Sequence, residues 1–323
     1  MNIALIGLGF MGGTHLKAWR SIPGVSIAGV ATRDAKKLPP DLCCLTLEQA
    51  LHDPSIDAVD ICLPTYLHSP VAIGALRGGK HVLVEKPLSL DRPSGDAMIS
   101  EAERLGRILM TAHVLRFWPA YTALREAVKG NRYGRARHAR FERRSAVPGW
   151  ATWLLDPSLS GGGAFDLLIH DVDMCLHLFG PPLEVAAVAC ADPMAGTSLL
   201  DAQLYYGEMV AQISGGWEHP GALPFRMEYT VTFDRATAEY SSAGRPATLY
   251  SMNETVPLES GEGDPMSASY AAEIAYFVEC CRAGRKPEIC LPRESAAAVS
   301  LTLQLLRAAQ RNGEKSNARF GIA

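Results

Sequence analysis

Near the N-terminus the run "NIALIG" passes straight into Gly7, Gly9 and Gly12, and then into "THLKAWRSI". A short apolar strand, a glycine turn and a helix, in that order, give G-x-G-x-x-G the context in which it carries chemistry. One glycine makes the tight turn, one lets the backbone approach a pyrophosphate, and one lets helix and strand pack closely. The start of the helix then offers free N–H groups and a positive dipole end to phosphates. The first third of the chain is thereby committed to a strand–helix–strand unit, with Gly7, Gly9, Phe10, Met11 and Gly12 as expected cofactor contacts. A glycine-rich turn without a ligand is the alternative.

The following segments extend the pattern. "VSIAGVATRD" reads as a second strand whose end lies about twenty residues past the last glycine, where NAD-binding turns place an acid for the ribose hydroxyl. Here Thr32 and Arg33 stand there, with Asp34 one step late. A hydroxyl and a permanently charged, planar guanidinium suit a 2′-phosphate, so NADP(H) is the preferred cofactor and NAD(H) the second choice. A solvated Arg33 stacking on adenine is the other reading. "AVDICLP" and "HVLVEKP" are β-rich and end in proline, and "SPVAIGALRGGK" between them is helical and stops at glycines. Strands alternating with helices make an α/β, doubly wound parallel sheet. Ligands of such sheets lie at the carboxyl ends of strands, which is where Pro64, Thr65, His68, Glu85 and Lys86 fall. "RILMTAHVLRF" reads as one more strand, carrying His113 and Arg116, the latter a candidate substrate ligand. Lys86 is expected beside the cofactor ring; a surface lysine paired with Glu85 is the alternative.

Length and composition bound the rest. A chain of 323 residues is comfortable as two domains, here expected over 1–119 and 120–323. A net charge of −3 gives no case for nucleic acid or an acidic membrane as partner, and no apolar run approaches the roughly 18 residues of a membrane span. The apolar N-terminus lacks a basic lead and breaks at glycines, so it reads as a strand and not as a signal peptide. Eight scattered cysteines without a CxxC fit neither a zinc framework nor a disulfide scaffold, and suggest reduced thiols in a cytoplasmic protein.

The second half holds the stretch "SGGGAFDLLIHDVD", residues 160–173. Residues three and four apart on a helix share a face, so Asp166, His170 and Asp173 are expected to point one way, with His177 a turn further. Gly161 to Gly163 let the chain approach a neighbour closely. Two other readings stand beside a polar pocket floor: a capping and core pair, or a metal held by His170, Asp173 and His177. "FRMEYTVTF" alternates, with Phe225, Met227, Tyr229, Val231 and Phe233 facing one way. "ARHARFERR", "DAQLYYGEMVAQISG" and "ATAEYSSAG" read as its partners, which makes a mostly antiparallel open sheet. In "SYAAEIAYFVECCRAG" the residues Tyr270, Ile274, Phe277, Val278 and Cys281 form an apolar stripe, and "LPRESAAAVSLTLQLLRAAQRNG" is a helix opening at a proline and closing at Gly313. Trp150 and Trp153 precede the glycines and offer aromatic faces to a sugar ring or to a core.

The glycine turn, "EKP" and the Gly-Gly-Gly…Asp-x-x-x-His-x-x-Asp run together resemble the Gfo/Idh/MocA family, the glucose-fructose oxidoreductase and inositol dehydrogenase group, over nearly the whole chain. The resemblance implies an N-terminal Rossmann domain and a C-terminal α+β domain with a large open sheet. It also implies oxidation or reduction of a carbon of a sugar, polyol or related ring with NAD(H) or NADP(H). It makes Lys86 of "EKP" the catalytic lysine, maps Asp166 and His170 onto the family's acid and histidine, and gives Asp173 to substrate hydroxyls. It implies a homodimer or homotetramer built through the C-terminal sheet. The departure is Thr32-Arg33 in place of the acid.

Oxidising a secondary alcohol sends hydride to the nicotinamide and needs a group to take the hydroxyl proton. A histidine, ordinarily near pKa 6.5, exchanges a proton at neutral pH. A lysine either has its basicity lowered by burial and a cationic neighbour, or stays charged and stabilises the alkoxide. The reading is that His170 accepts the proton, Lys86 polarises the oxygen, Asp166 orients them and no metal takes part. Alternatives are the same machinery on a dihydrodiol or an imine, or a non-catalytic NADP(H)-sensing protein.

Overall fold

The computed structural model describes residues 1–149, 151–190, 199–259 and 263–320, without the side chains of Glu218 and of 313–320. Trp150 lies outside the described residues. The chain packs as two compact units, Met1–Trp118 with Gly263–Ala297, and Pro119–Glu262 with Ala298–Ala323.

The first unit is built on six parallel strands: β1 (Asn2–Ile6), β2 (Ser26–Ala31), β3 (Cys44–Leu45), β4 (Ala58–Ile61), β5 (His81–Glu85) and β6 (Leu109–Ala112), in the order β3-β2-β1-β4-β5-β6. This is the doubly wound order in which a dinucleotide sits where the strand order reverses. The apolar runs of β1, β4 and β5 are buried on both faces, as parallel strands between helices must be. Helices α2 (Leu47–His52), α3 (His68–Arg77) and α4 (Arg92–Leu105) bury Leu51, Leu76 and Met98 against Ile6, Val59 and Val84. On the other face α1 (Phe10–Arg20) brings Trp19 against Ile3 and Leu83. The strand expected over "RILMTAHVLRF" ends at Ala112. The His113 N–H turns back to the Thr111 carbonyl at 2.9 Å, and Val114–Phe117 forms a tight 3₁₀ turn that carries Arg116.

The second unit contains α5 (Pro119–Lys129), β7 (Ala136–Ala146), α6 (Pro157–Ser160) and a π-helical turn (Ala164–Leu168) that runs into α7 (Ile169–Phe179). Strands β8 (Glu184–Ala189), β9 (Leu200–Tyr205), β10 (Val210–His219), β11 (Arg226–Phe233), β12 (Ala236–Ser241), β13 (Arg245–Ser251) and β14 (Thr255–Pro257) complete it. The eight strands run β14-β13-β12-β11-β7-β10-β9-β8, antiparallel throughout except for the β7–β10 pair. The alternation in β11 is realised: Met227, Tyr229, Val231 and Phe233 are buried and their neighbours half-buried. Phe225 precedes the strand and is half-exposed, so it leaves the apolar row. Tyr229 stacks edge-on with Tyr121 of α5 at 5.3 Å, and its hydroxyl donates to the Ala120 carbonyl at 2.8 Å.

Two late helices follow. In α8 (Pro265–Ala283) Tyr270, Ile274, Phe277 and Val278 join the core with Ile3, Trp19 and Leu83. Cys280, not Cys281, completes the fully buried stripe; Cys281 is half-buried. Asp264 caps this helix by accepting from the N–H groups of Met266 and Ser267, both at 3.1 Å. Helix α9 (Pro292–Phe320) runs past Gly313, where the sequence reading ended it. A glycine costs a helix interior only about 1 kcal/mol, and no proline follows to enforce a stop.

Candidate active site

The dinucleotide turn assigns each glycine a separate task. Gly7 has φ +99°, and a Cβ there would lie 2.3 Å from the Cys62 carbonyl oxygen. A Cβ on Gly12 would lie 2.1 Å from the Gly7 oxygen, so this glycine lets α1 seat on the turn. Around Gly9 nothing lies within 4 Å of the Cβ position. No side chain caps α1 and no acid stands in its first turn, so its start keeps the positive dipole end that suits an anion. Phe10 is exposed and Met11 half-buried beside them. This cradle fits the pyrophosphate of a dinucleotide.

At the end of β2, Thr32 is half-buried and Arg33, Asp34, Lys36 and Lys37 are exposed. The Asp34 N–H donates to the Thr32 hydroxyl at 3.2 Å, and Lys37 stands 3.4 Å from the Asp34 carboxylate. Past β4 come Pro64, buried Thr65 and buried His68. His68 Nδ1 lies 2.8 Å from the Pro87 carbonyl and Nε2 2.9 Å from the Leu63 carbonyl. The ring thus ties the loop after β4 to the loop after β5, which is a scaffolding place for a residue read as a cofactor contact. Lys86 follows β5 directly, half-buried, before a cis Lys86–Pro87 bond. Its backbone N–H donates to the Glu85 carboxylate at 2.9 Å. Arg116 is turned inward. Its side chain is fully buried and pairs with Glu294 and the Ile289 carbonyl, which does not suit the substrate contact expected of it.

In the second unit, Gly161 and Gly162 have φ of +77° and +71°, and a Cβ on Gly161 would overlap the Phe165 ring at 2.5 Å. The glycines fold the chain tightly onto its own next turn. The π-turn then carries Asp166, and α7 carries His170 one turn on, both half-buried. Asp173 is buried, so the expected row of three does not share one exposure. Between them Asp171 faces the sheet. It accepts two hydrogen bonds from Arg143 of β7, at 2.9 and 3.0 Å, and both side chains are buried. Burial opposes charge on Arg143, but Asp171 outweighs it and holds the guanidinium firmly protonated. Trp153 is half-buried against Leu154, Leu167 and Trp217, which makes it part of a small core.

Residues 1–113 match the model of an oxidoreductase family with an NAD-binding Rossmann fold, and residues 121–239 match the GFO/IDH/MocA C-terminal domain. The chain belongs to the GFO/IDH/MocA oxidoreductase family. It is similar to myo-inositol 2-dehydrogenase of Thermotoga maritima, at 27% identity over 314 residues, covering 90% of either chain. It is also similar to scyllo-inositol 2-dehydrogenase (NAD(+)) of Bacillus subtilis, at 26% identity over 306 residues, with 89% of this chain and 88% of the relative covered. Among solved structures, UDP-N-acetylglucosamine 3-dehydrogenase of Acidithiobacillus ferrooxidans superposes with a TM-score of 0.80 at 25% identity, over 96% of this chain and 98% of that one. As a GFO/IDH/MocA member the chain is an oxidoreductase with an NAD-binding domain. No helix among the described residues is long and apolar enough to cross a membrane.

The family motifs leave two residues unannounced. His15 and Asp60 meet Glu85 of "EKP" in the core of the first unit, where Glu85 also accepts the Lys86 N–H. Asp60 carried a signal: it is the one charged residue in "AVDICLP", a run otherwise fit for burial.

Proposed function

We propose that the chain is an NADP(H)-preferring dehydrogenase or reductase that interconverts carbinol and carbonyl at a ring or chain carbon of a sugar, polyol or related cyclic alcohol. The observation that carries this reading is the joint presence of Lys86 immediately after β5 and the Asp166–His170 pair at the π-turn, in a chain with both family domains. Gly7, Gly9 and Gly12 with the start of α1 would hold the pyrophosphate. When bound, the nicotinamide supplies the hydride acceptor or donor.

The protein's own groups handle proton and charge. His170 takes the hydroxyl proton in oxidation and returns it in reduction. Lys86 places an ammonium against the oxygen on which negative charge develops. Asp166 orients His170. Arg116 and Asp173, both buried, enter as framework and not as substrate ligands. The preference for the phosphorylated cofactor is supported by Arg33, Lys36 and Lys37, three exposed cations on the turn where an NAD site carries its acid. The relatives' names point to inositols and a nucleotide sugar, which supports a polyhydroxylated substrate. The open face of the eight-stranded sheet holds a depression lined by Arg140, Asp201, Gln203 and Gln212, and this face is taken as the contact of a homodimer or homotetramer. That none of the eight cysteines is in a disulfide supports work in the cytoplasm.

The test is a panel of polyols and sugars with NADP+ and NAD+, run on the wild type and on Lys86→Ala. The expected result is turnover by the wild type, lower Kd for NADPH than for NADH, and loss of at least about a hundredfold in kcat for Lys86→Ala with NADPH binding retained. Binding of NADPH by a wild type that turns over no carbinol or carbonyl compound would leave a sensor.

A further inference from the structure

In the second unit β11, β7 and β10 lie side by side, and their register puts Met227 and Gly215 on either side of Arg143. Gly215 has φ +146°, and a Cβ there would lie 1.8 Å from the Arg143 carbonyl oxygen, so β10 closes onto β7 with no side chain at that point. The Arg143 side chain leaves the sheet on the side of α7. Nε and Nη2 donate to Asp171 at 3.0 and 2.9 Å, and Nη1 donates to the Met227 sulfur at 3.5 Å. The guanidinium carbon also stands 5.9 Å from the centre of the Phe225 ring. Phe225 lies beyond the buried row of β11, two residues before Met227. Its contact with Arg143 keeps it on the side of the sheet that faces α7.

The ring is 50% exposed and yet tethered. Single apolar side chains at a surface are common and carry no meaning by themselves. This one differs in its attachments. Pro224 precedes it and fixes the backbone one residue earlier. The guanidinium attracts the ring electrostatically, and that guanidinium is buried and doubly bonded to buried Asp171, so the ring is fastened to a rigid part of the unit. Asp171 directly follows His170 on α7, so two contacts join the exposed ring to the turn that carries the histidine. On the β10 side, Trp217 packs with Leu167, the residue after Asp166 in the π-turn. The acid–histidine pair is thus held over β10 and β7, with the exposed aromatic at the neighbouring end of β11. An aromatic surface with a few polar groups beside it is the composition of a small-molecule site.

We propose that Phe225 is a specificity-determining residue: its exposed ring receives the C–H face of a cyclic substrate, a cyclitol or pyranose, whose reacting hydroxyl lies against His170. A six-membered polyol carries hydroxyls around its rim and C–H groups on its faces. It is therefore apolar toward Phe225 and hydrogen-bonding toward Asp166 and His170 at the same time. A ring already fixed by Pro224 and Arg143 gives up little freedom on binding. An open-chain polyol has no preformed C–H face and must freeze its rotors to present one, so it gains less from the same surface. This rests on the dehydrogenase reading above and narrows its substrate class to rings.

The test uses the full chain with NADP+, with myo-inositol, scyllo-inositol and glucose as cyclic probes and sorbitol and mannitol as open-chain probes. Wild type, Phe225→Ala and Phe225→Tyr are compared. The wild type is expected to favour a cyclic probe. Phe225→Ala should raise KM for it about tenfold or more, the loss expected when an aromatic side chain no longer covers apolar surface. Its kcat should change by less than about twofold, as when binding common to ground and transition state is removed. The preference for cyclic over open-chain probes should shrink by the same factor, and Phe225→Tyr, which keeps the flat ring, should restore it. Binding of NADPH, read by fluorescence, should be unaltered, because Phe225 lies outside the nucleotide-binding unit. A merely structural role would lower the melting temperature and weaken both classes of probe together. If Phe225→Ala does not fold, Phe225→Leu, apolar but not flat, takes its place with the same expected loss. Unchanged KM, equal loss on both classes, or a wild type that favours open-chain polyols overturns this inference and leaves the dehydrogenase reading standing. A wild type that turns over none of the probes fails that reading, and this one falls with it.

Discussion

Gly9 and Gly12 sit three residues apart in one turn and answer to different demands. Gly12 is required by the fold, because a methyl group there would strike the Gly7 oxygen. Gly9 has room for one. Gly12→Ala is therefore expected to destabilise the chain by about 1–3 kcal/mol, the usual range for overpacking. Gly9→Ala should stay within about 0.5 kcal/mol of wild type, yet bind NADPH about tenfold or more weakly, as expected when a charge-assisted hydrogen bond is lost. Thermal unfolding and a fluorescence titration of NADPH separate the two; equal destabilisation by both would contradict it. The packing demand at Gly12 was legible in the sequence because a glycine turn between strand and helix has few solutions. The inward turn of Arg116 was not, since its partner Glu294 is distant in sequence and no local pattern announces it. His68 likewise looked like a ligand residue at a strand end, while its ring nitrogens go to two backbone carbonyls.

At the level of elements, the alternating strands and the stripe of α8 were readable because burial imposes periods of two and of 3.6 residues. The π-turn at Ala164–Leu168 was not: its five-residue hydrogen-bond step leaves no period of its own in so short a piece. The segment that carries Asp166, His170 and Asp173 is held to β7 by the buried Arg143–Asp171 pair. Removing one partner strands the other charge. Asp171→Ala is expected to cost about 3–5 kcal/mol, whereas the double change Arg143→Met with Asp171→Leu should cost less than that single change. Denaturant unfolding of the two variants checks it. A double variant less stable than Asp171→Ala would mean that the pair contributes more than its own desolvation cost.

For the molecule as a whole, two buried groups pull stability down as pH rises, against His68 and His81, whose lowered values act the other way. Burial pushes the Glu273 carboxyl well above its usual value, with Glu85 and Asp60 adding to the effect and His15 opposing it. Neither of its oxygens has a hydrogen-bond partner among the described residues. Folding therefore takes up a proton at Glu273 above about pH 4.3, and a second at His15 above about pH 6.5, each contributing a loss of about 1.4 kcal/mol per pH unit until its folded pKa is passed. Glu273→Gln should remove the first contribution, stabilise the protein at pH 8 and flatten the slope between pH 5 and 8. Urea unfolding at several pH values tests this, and an unaltered slope would place the proton elsewhere. The parallel sheet of the first unit was legible from its apolar strands, but the chain's late return to it was not, because helix α8 looks the same in sequence whichever core it enters.

That return has a consequence for synthesis. Ile274 and Phe277 are needed to cover Ile3, Trp19 and Leu83, and they leave the ribosome only after residues 119–262 have emerged. The nascent nucleotide-binding half must wait, with one side of its sheet covered by α1 but not yet by α8, for most of the polypeptide to be made. Translation that stops early would release a fragment unable to close its own interior, an obvious client for chaperones.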